Sequence, residues 1–193
     1  MIIRDKELEY IEETHTYIYD GVVLPSVTQV LKVKFGDMYN RVNEDVLNRA
    51  ATRGTQIHAD IEAYVKGEER NTEEVRGFKF LQVHYDIVPY TAEVPVVVFK
   101  NGLPKCAGRL DLLADVGGKY SIADIKTTAT LNKEYLAFQL NLYRVGFEQS
   151  YGVDVEKLVG LHLIRAKRKL VEIPINDICV KEILEEYERG LDE

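Results

Sequence analysis

The chain has little that would place it outside the cell or across a membrane. It carries two cysteines, Cys106 and Cys179, so neither a disulfide framework nor a CxxC metal site can be built, and two small buried thiols are expected. No apolar run approaches the ~20 residues of a membrane helix. The opening MIIRDKELEY has charges at positions 4 to 7 and no apolar h-region, so no secretory signal is expected. Repeats, low-complexity tracts and Ser/Gly-rich linkers are missing too, which favours one compact unit over 1–193. A basic excess is also lacking. The net charge is −7, with 25 Lys and Arg against 32 Asp and Glu. That speaks against a protein that coats nucleic acid, and leaves room for one that meets a phosphodiester locally through metal ions and a few cations. What is present is ordinary for a globular chain: 46% hydrophobic and 30% charged residues in a length that can bury a sizeable core.

The pattern divides into four stretches. Residues 1–43 hold a hairpin around Asp20-Gly21 and a short helix capped by Ser26. In 44–90, Val46, Ala50, Ile57, Ile61 and Val65 recur at helical spacing and carry His58 with them, and a second helix begins near Thr72. From 91 to 175 the runs TAEVPVVVF, AGRLDLLADV and KYSIADIK, with 157–165 and 170–175, are rich in strand formers, and a helix at 132–150 interrupts them. A last amphipathic helix is expected within 176–193. Helices around mostly consecutive strands with one helical crossover predict an α/β domain.

Chemistry concentrates in GRLDLLADVGGKYSIADIKTT, residues 108–128. With Gly117-Gly118 as a two-residue turn, counting outward sets Asp111 opposite Asp124 on one face, about 5 Å apart, and Arg109 opposite Lys126. Lys126 is two residues past Asp124 and shares its face. Facing carboxylates repel, and a hard divalent cation converts that repulsion into a binding site, beside which a lysine can hold a phosphate or water. A solvated pair of aspartates on an exposed strand is the other reading. On the 44–66 helix, Gly54 lies one turn before His58, letting another segment approach the imidazole closely. Gln139 and Tyr143 share a face at i, i+4. His15, His84 and His162 belong to no motif, and Arg165, Lys167, Arg168 and Lys169 read as a basic hairpin tip or a solvated turn.

In order, G-x-x-x-H (Gly54, His58), G-x-L-D (Gly108, Asp111), D-x-K-T (Asp124, Lys126, Thr127) and Q-x-x-x-Y (Gln139, Tyr143) resemble the RecB-like branch of the PD-(D/E)XK nuclease superfamily. YIYDGVVLPSVTQVL resembles the opening segment of phage-type members and of the mitochondrial genome-maintenance exonuclease. The resemblance implies a restriction-endonuclease-like core, a central mixed sheet flanked by helices. It implies Asp111, Asp124, His58 and the Ile125 carbonyl as ligands of one or two Mg2+ or Mn2+ ions, and Lys126 as the residue that positions water. Gln139 and Tyr143 would contact substrate and brace the site. From the residues themselves, Arg53 on the helix leading to His58 could guide DNA inward, and Arg109 could be a phosphate contact or only a neighbour that modulates Lys126. Glu93 stands where relatives carry a glutamate near the metals, although a glutamate on an edge strand reads equally well. An iron–sulfur cluster needs four cysteines and is excluded. The implied activity is hydrolysis of DNA, by an exonuclease acting on ends or single strands in recombination, repair or phage replication, with recombination or replication proteins as partners. A cytoplasmic, bacterial or phage-encoded protein with no membrane partner is expected. A structure-specific endonuclease and a catalytically silent DNA-binding module on the same fold are the alternatives.

Overall fold

The computed structural model describes residues 1–40, 43–164 and 167–191; Arg165 and the last two positions of the expected C-terminal segment lie outside the described residues. An antiparallel sheet opens the chain, in the order β1 (Ile2–Ile3), β2 (Lys6–Ile11), β3 (Thr16–Tyr19) and β4 (Val22–Leu24). Asp20-Gly21 makes the β3–β4 turn, with φ of +50° and +77°, as a tight two-residue hairpin demands. Ser26 then caps α1 (Val27–Phe35) in a reciprocal box with Gln29. A 3-10 turn, Gly36–Tyr39, follows, then α2 (Glu44–Val65) and α3 (Glu73–Tyr85), the latter capped by Thr72.

The second sheet has the order β5 (Ile87–Lys100), β6 (Leu103–Val116), β7 (Tyr120–Lys126), β8 (Lys157–Ile164) and β9 (Lys167–Ile173). Neighbours run antiparallel except β7 and β8, which are parallel. A parallel pair needs a long crossover, and α4 (Lys133–Tyr151) supplies it; α5 (Asp177–Arg189) ends the fold. This is the expected mixed sheet flanked by helices. β5 and β6 are longer than the strand runs in the sequence, and β5 begins inside the stretch expected to be helical. Asn101-Gly102, with φ of +54° and +77°, closes their hairpin, a turn signal the sequence reading passed over.

Each sheet face is covered. Val96, Val98, Ile122 and Leu158 pack under Leu136, Leu140 and Phe147 of α4 and Ile183 of α5. On the opposite face Ala114, Ala123, Val159 and Leu161 meet Ile57 and Ile61 of α2 and Phe78 and Leu81 of α3. Each such large side chain, once buried, stabilises the fold by roughly 1.5–3 kcal/mol. The small N-terminal sheet docks through Leu8, Tyr17 and Tyr19 on Val97, Phe99 and Ala107. Along the outer edge of β5, Ser150 Oγ accepts from the Val97 N–H at 3.1 Å and Gln149 Oε1 from the Phe99 N–H at 2.7 Å. Side chains at the end of α4 thus fill positions that a further strand would take.

Candidate active site

The site forms where β6 and β7 part. Gly117 and Gly118, φ +64° and +81°, make the expected turn, and the Val116 N–H donates to the Lys119 carbonyl at 2.9 Å. The ladder runs from Asp115–Tyr120 to Leu112–Ala123 and stops. Beyond it β6 stays with β5, while β7 follows β8 as far as Lys126. The sequence register is therefore right within the hairpin and fails past Leu112: Arg109 does not pair with Lys126, and Asp111 does not face Asp124 as a ladder partner. Side chains occupy the gap instead. Asp111 Oδ2 accepts from the Ile125 N–H at 2.6 Å, and His58 Nε2–H donates to the Ile125 carbonyl at 3.0 Å. Both backbone groups that Ile125 turns toward β6 are thereby satisfied by site residues.

On the other flank, pairing of Ala92 with Leu112 and Val94 with Leu110 sets Glu93 opposite Asp111. One donor atom each from His58, Glu93 and Asp111 lies within 4.8 Å of the others, and His58 Nδ1 is 3.4 Å from Asp111 Oδ1. Glu93 has φ +55°, a conformation uncommon for a non-glycine residue and often found at functional sites. Asp124 stands beside this trio. Its Oδ2, fully buried, lies 2.6 Å from Lys126 Nζ but receives no directed hydrogen bond. Lys126 donates to Gln139 Oε1 at 2.8 Å, and the Gln139 amide reaches the Tyr143 hydroxyl at 3.5 Å. Tyr143 packs against Gly108, where a Cβ would sit 2.8 Å from the edge atom Cε1 of its ring. At Gly54 a Cβ would meet only Thr127 Oγ1, at an ordinary 3.4 Å. Gly108 thus makes room for the Tyr143 ring, whereas Gly54 sits in looser contact with the D-x-K-T segment.

The sequence model of the PD-(D/E)XK nuclease superfamily matches residues 44–189. The chain belongs to that superfamily. A search of curated proteins finds no matching relative. Among solved structures, the crystal structure of SSO0001 superposes with a TM-score of 0.50 at 18% identity, over 86% of this chain and 74% of that one, a likeness of fold. An alkaline exonuclease from Laribacter hongkongensis, LHK-Exo, aligns with a TM-score of 0.48 at 13% identity, over 88% of this chain and 86% of that one.

PD-(D/E)XK nucleases use divalent metals, and the donor set here fits such an ion: two carboxylates and an imidazole converge, with the Ile125 carbonyl hydrogen bonded to that imidazole and a buried carboxylate oxygen alongside. The electrostatics point the same way. Burial first, then the Asp111 charge, pushes Glu93 up to about 7, while Arg109 opposes. Burial also holds Asp124 above the ordinary carboxylate range, with Lys126 pulling it down and Asp111 pushing it up. For Asp111, burial is outweighed by His58, Lys126 and the Ile125 N–H, and its pKa lies below the usual value. Burial opposes protonation of His58, but Asp111 prevails and lifts it to about 9. Burial likewise opposes the Lys126 charge, and Asp124 and Asp111 keep it protonated. Crowded carboxylates that resist ionisation are destabilising alone and are relieved by a cation.

Of the other residues singled out in the sequence, Arg109 borders the site and the rest are placed elsewhere. Arg53 pairs with Glu74 of α3 at 2.9 Å, and the contacts of the trio do not include it. Arg109 Nε lies 3.2 Å from Glu93 Oε2, with its guanidinium over the Tyr10 ring. Arg168 packs against Gly77 of α3. His162 hydrogen bonds to the Thr128 carbonyl at 2.7 Å, and His84 stacks on Phe80. His15, which no motif signalled, and Tyr17 and Thr28 of the YIYDGVVLPSVTQVL segment line a hollow of about 160 Å³ with Glu93, Arg109 and Asp111. Docking of the N-terminal sheet brings His15 and Tyr17 there, and Thr28 comes from the first turn of α1. Among the described residues no helix is long and apolar enough to cross a membrane.

Proposed function

We propose that the chain is a Mg2+- or Mn2+-dependent deoxyribonuclease that hydrolyses phosphodiester bonds at DNA ends or in single strands. The observation that carries this reading is the convergence of His58, Glu93 and Asp111, two of them hydrogen bonded to the Ile125 backbone, with Asp124 and Lys126 beside them. His58, Glu93, Asp111 and the Ile125 carbonyl would hold the first ion, with Asp124 shared between ion and lysine. Such an ion lowers the pKa of a water and offsets charge on the phosphate.

The side chains do the rest. Lys126, anchored by Asp124 and Gln139, turns its remaining donor capacity toward the attacking water or a phosphate oxygen. Tyr143, seated on Gly108, fixes Gln139 and so the ammonium. Arg109 is restrained by Glu93 and Tyr10 at the rim of the hollow, where a second phosphate would lie. The preference for ends or single strands rests on the resemblance of the Tyr17–Leu31 segment to phage-type members.

The test compares wild type with Lys126→Ala on DNA labelled at either end, linear and circular, in Mn2+ and in EDTA. Wild type should degrade linear DNA in Mn2+ alone and spare circles, and the variant should be slower by about 10²–10³-fold. Equal degradation by the variant sinks the lysine assignment. DNA binding that ignores the metal, without cleavage, would establish a silent module.

A further inference from the structure

A second hollow adjoins the acidic centre. Between α1, the 3-10 turn and the start of α4 lies a cleft of about 530 Å³, walled by Leu31, Phe35, Met38, Leu131 and Tyr135. That volume is in the range of small-molecule pockets, roughly 300–1,000 Å³. Phe35 meets Tyr135 edge-on, with centroids 5.4 Å apart, and Phe138 behind it at 5.6 Å, so the aromatic wall is braced. Lys126 and Lys32 line the same cleft. Thr28 lines both this cleft and the hollow containing Glu93 and Asp111.

We infer that this cleft receives an unpaired base of the DNA strand being cut, next to the phosphate held by Lys126. The inference rests on the nuclease reading above and adds the element that reads strandedness. The lining calls for an occupant that is largely apolar, can stack on an aromatic wall and is tethered to an anion beside Lys126. A nucleobase meets all three conditions. A paired base cannot enter, because its faces are stacked and its edge is engaged; an unpaired one gains stacking on Phe35 and Tyr135, worth about 1–3 kcal/mol per base, or roughly 5- to 150-fold in affinity.

Gly36 offers a clean test. It lines the cleft with an ordinary helical backbone, φ −56°, and a Cβ built there meets nothing within 4 Å. Gly36→Trp should occupy the part of the cleft beside Phe35 without displacing the core, and Gly36→Ala should leave it open. The probe is a short single-stranded oligonucleotide carrying 2-aminopurine, or an abasic site, at each position in turn. Fluorescence is titrated in EDTA, and cleavage is followed in Mn2+. In wild type and Gly36→Ala, one position should be quenched on binding, and its abasic version should lose about tenfold in affinity and in kcat/KM. Gly36→Trp should abolish both the quench and the difference while still cutting the abasic strand. Equal handling of abasic and intact strands by wild type overturns the inference, as does full base dependence in Gly36→Trp. A protein that shows the quench and never cuts would instead fail the nuclease reading, so the two failures are distinguishable.

Discussion

Two antiparallel strand pairs in one sheet have opposite fates. β8 and β9 are zipped from Leu158–Ile173 to Ile164–Lys167, whereas the β6–β7 ladder ends at Leu112–Ala123. In the first pair, backbone groups satisfy one another and the side chains are free to serve the core. In the second, the strands separate while β7 is still a strand, and a polar edge opens inside a covered sheet. An unmet buried N–H is costly, so the chain fills the opening with an aspartate and a histidine. The residues that repair the fork are the residues that form the candidate ligand set. Folding and chemistry therefore share the same side chains on β6, and are separate on β9.

The sharpest way to break this contrast is to remove the repair. Asp111→Ala should abolish metal-dependent cleavage, by about 10³-fold or more, and also lower stability by on the order of 1–3 kcal/mol as the Ile125 N–H loses its acceptor. The matching change on the zipped pair, Glu172→Ala, removes a mostly exposed partner of Lys157 and should leave both within error. Chemical denaturation and an end-labelled cleavage assay decide; an Asp111→Ala protein as stable as wild type would mean the fork does not depend on it.

A smaller effect separates the two motif glycines. Gly108→Ala sets a Cβ 2.8 Å from the Tyr143 ring and 3.3 Å from Val27. It should destabilise by about 1–3 kcal/mol and slow cleavage by shifting Gln139 and Lys126. Gly54→Ala meets only Thr127 Oγ1 at 3.4 Å, and removing a glycine from a helix interior gains up to about 1 kcal/mol. Its melting temperature should be unchanged or higher. Equal loss in both variants would show that the tight seat of Tyr143 is unimportant.

The smallest expected effect is on metal-free stability against pH. His58 binds its proton more tightly in the fold, about 9 against an ordinary 6.5. Its stabilising contribution is complete below pH 6.5 and is lost as pH rises through about 9. Glu93, raised from 4.5 to about 7, acts in the same direction: its contribution is full below 4.5 and lost as pH rises through about 7. In EDTA the melting temperature should therefore fall between pH 6.5 and 9, by roughly 2–4 °C for each kcal/mol lost. Because a metal displaces the ligand's proton, Mg2+ should raise the melting temperature more at pH 9 than at pH 6. A melting temperature that climbs with pH in EDTA would refute the His58–Asp111 pair.

How much of this was legible varied with sequence distance. Asp111, Asp124 and Lys126 belong to one hairpin whose Gly-Gly turn fixes the register, so their neighbourhood could be counted out. The fork could not be seen, because it depends on β7 pairing with β8 across the whole of α4. Glu93 was harder still. Its place opposite Asp111 depends on a register shift between Val98 and Phe99, which moves the pairs from Val98 to Thr91 by one residue until a second shift between Thr91 and Pro89 reverses it. His15 and Tyr10 reach the rim only because a separate sheet docks on Phe99 and Ala107, a packing event with no local signal. The helical motifs were readable for the opposite reason: His58, and Gln139 with Tyr143, each occupy one helix face, and helical spacing is preserved whatever the sheet does.

Glu93 bends its backbone into the left-handed region in mid-strand, where a glycine would rest without penalty. A chain shaped for durability alone would carry glycine there, and would be the more robust for it in the absence of metal. Keeping a carboxylate at that bend trades thermal endurance for a loaded spring beside the ligands, so the hardiest variants of this protein should be sought at position 93 and should be the least able to cut.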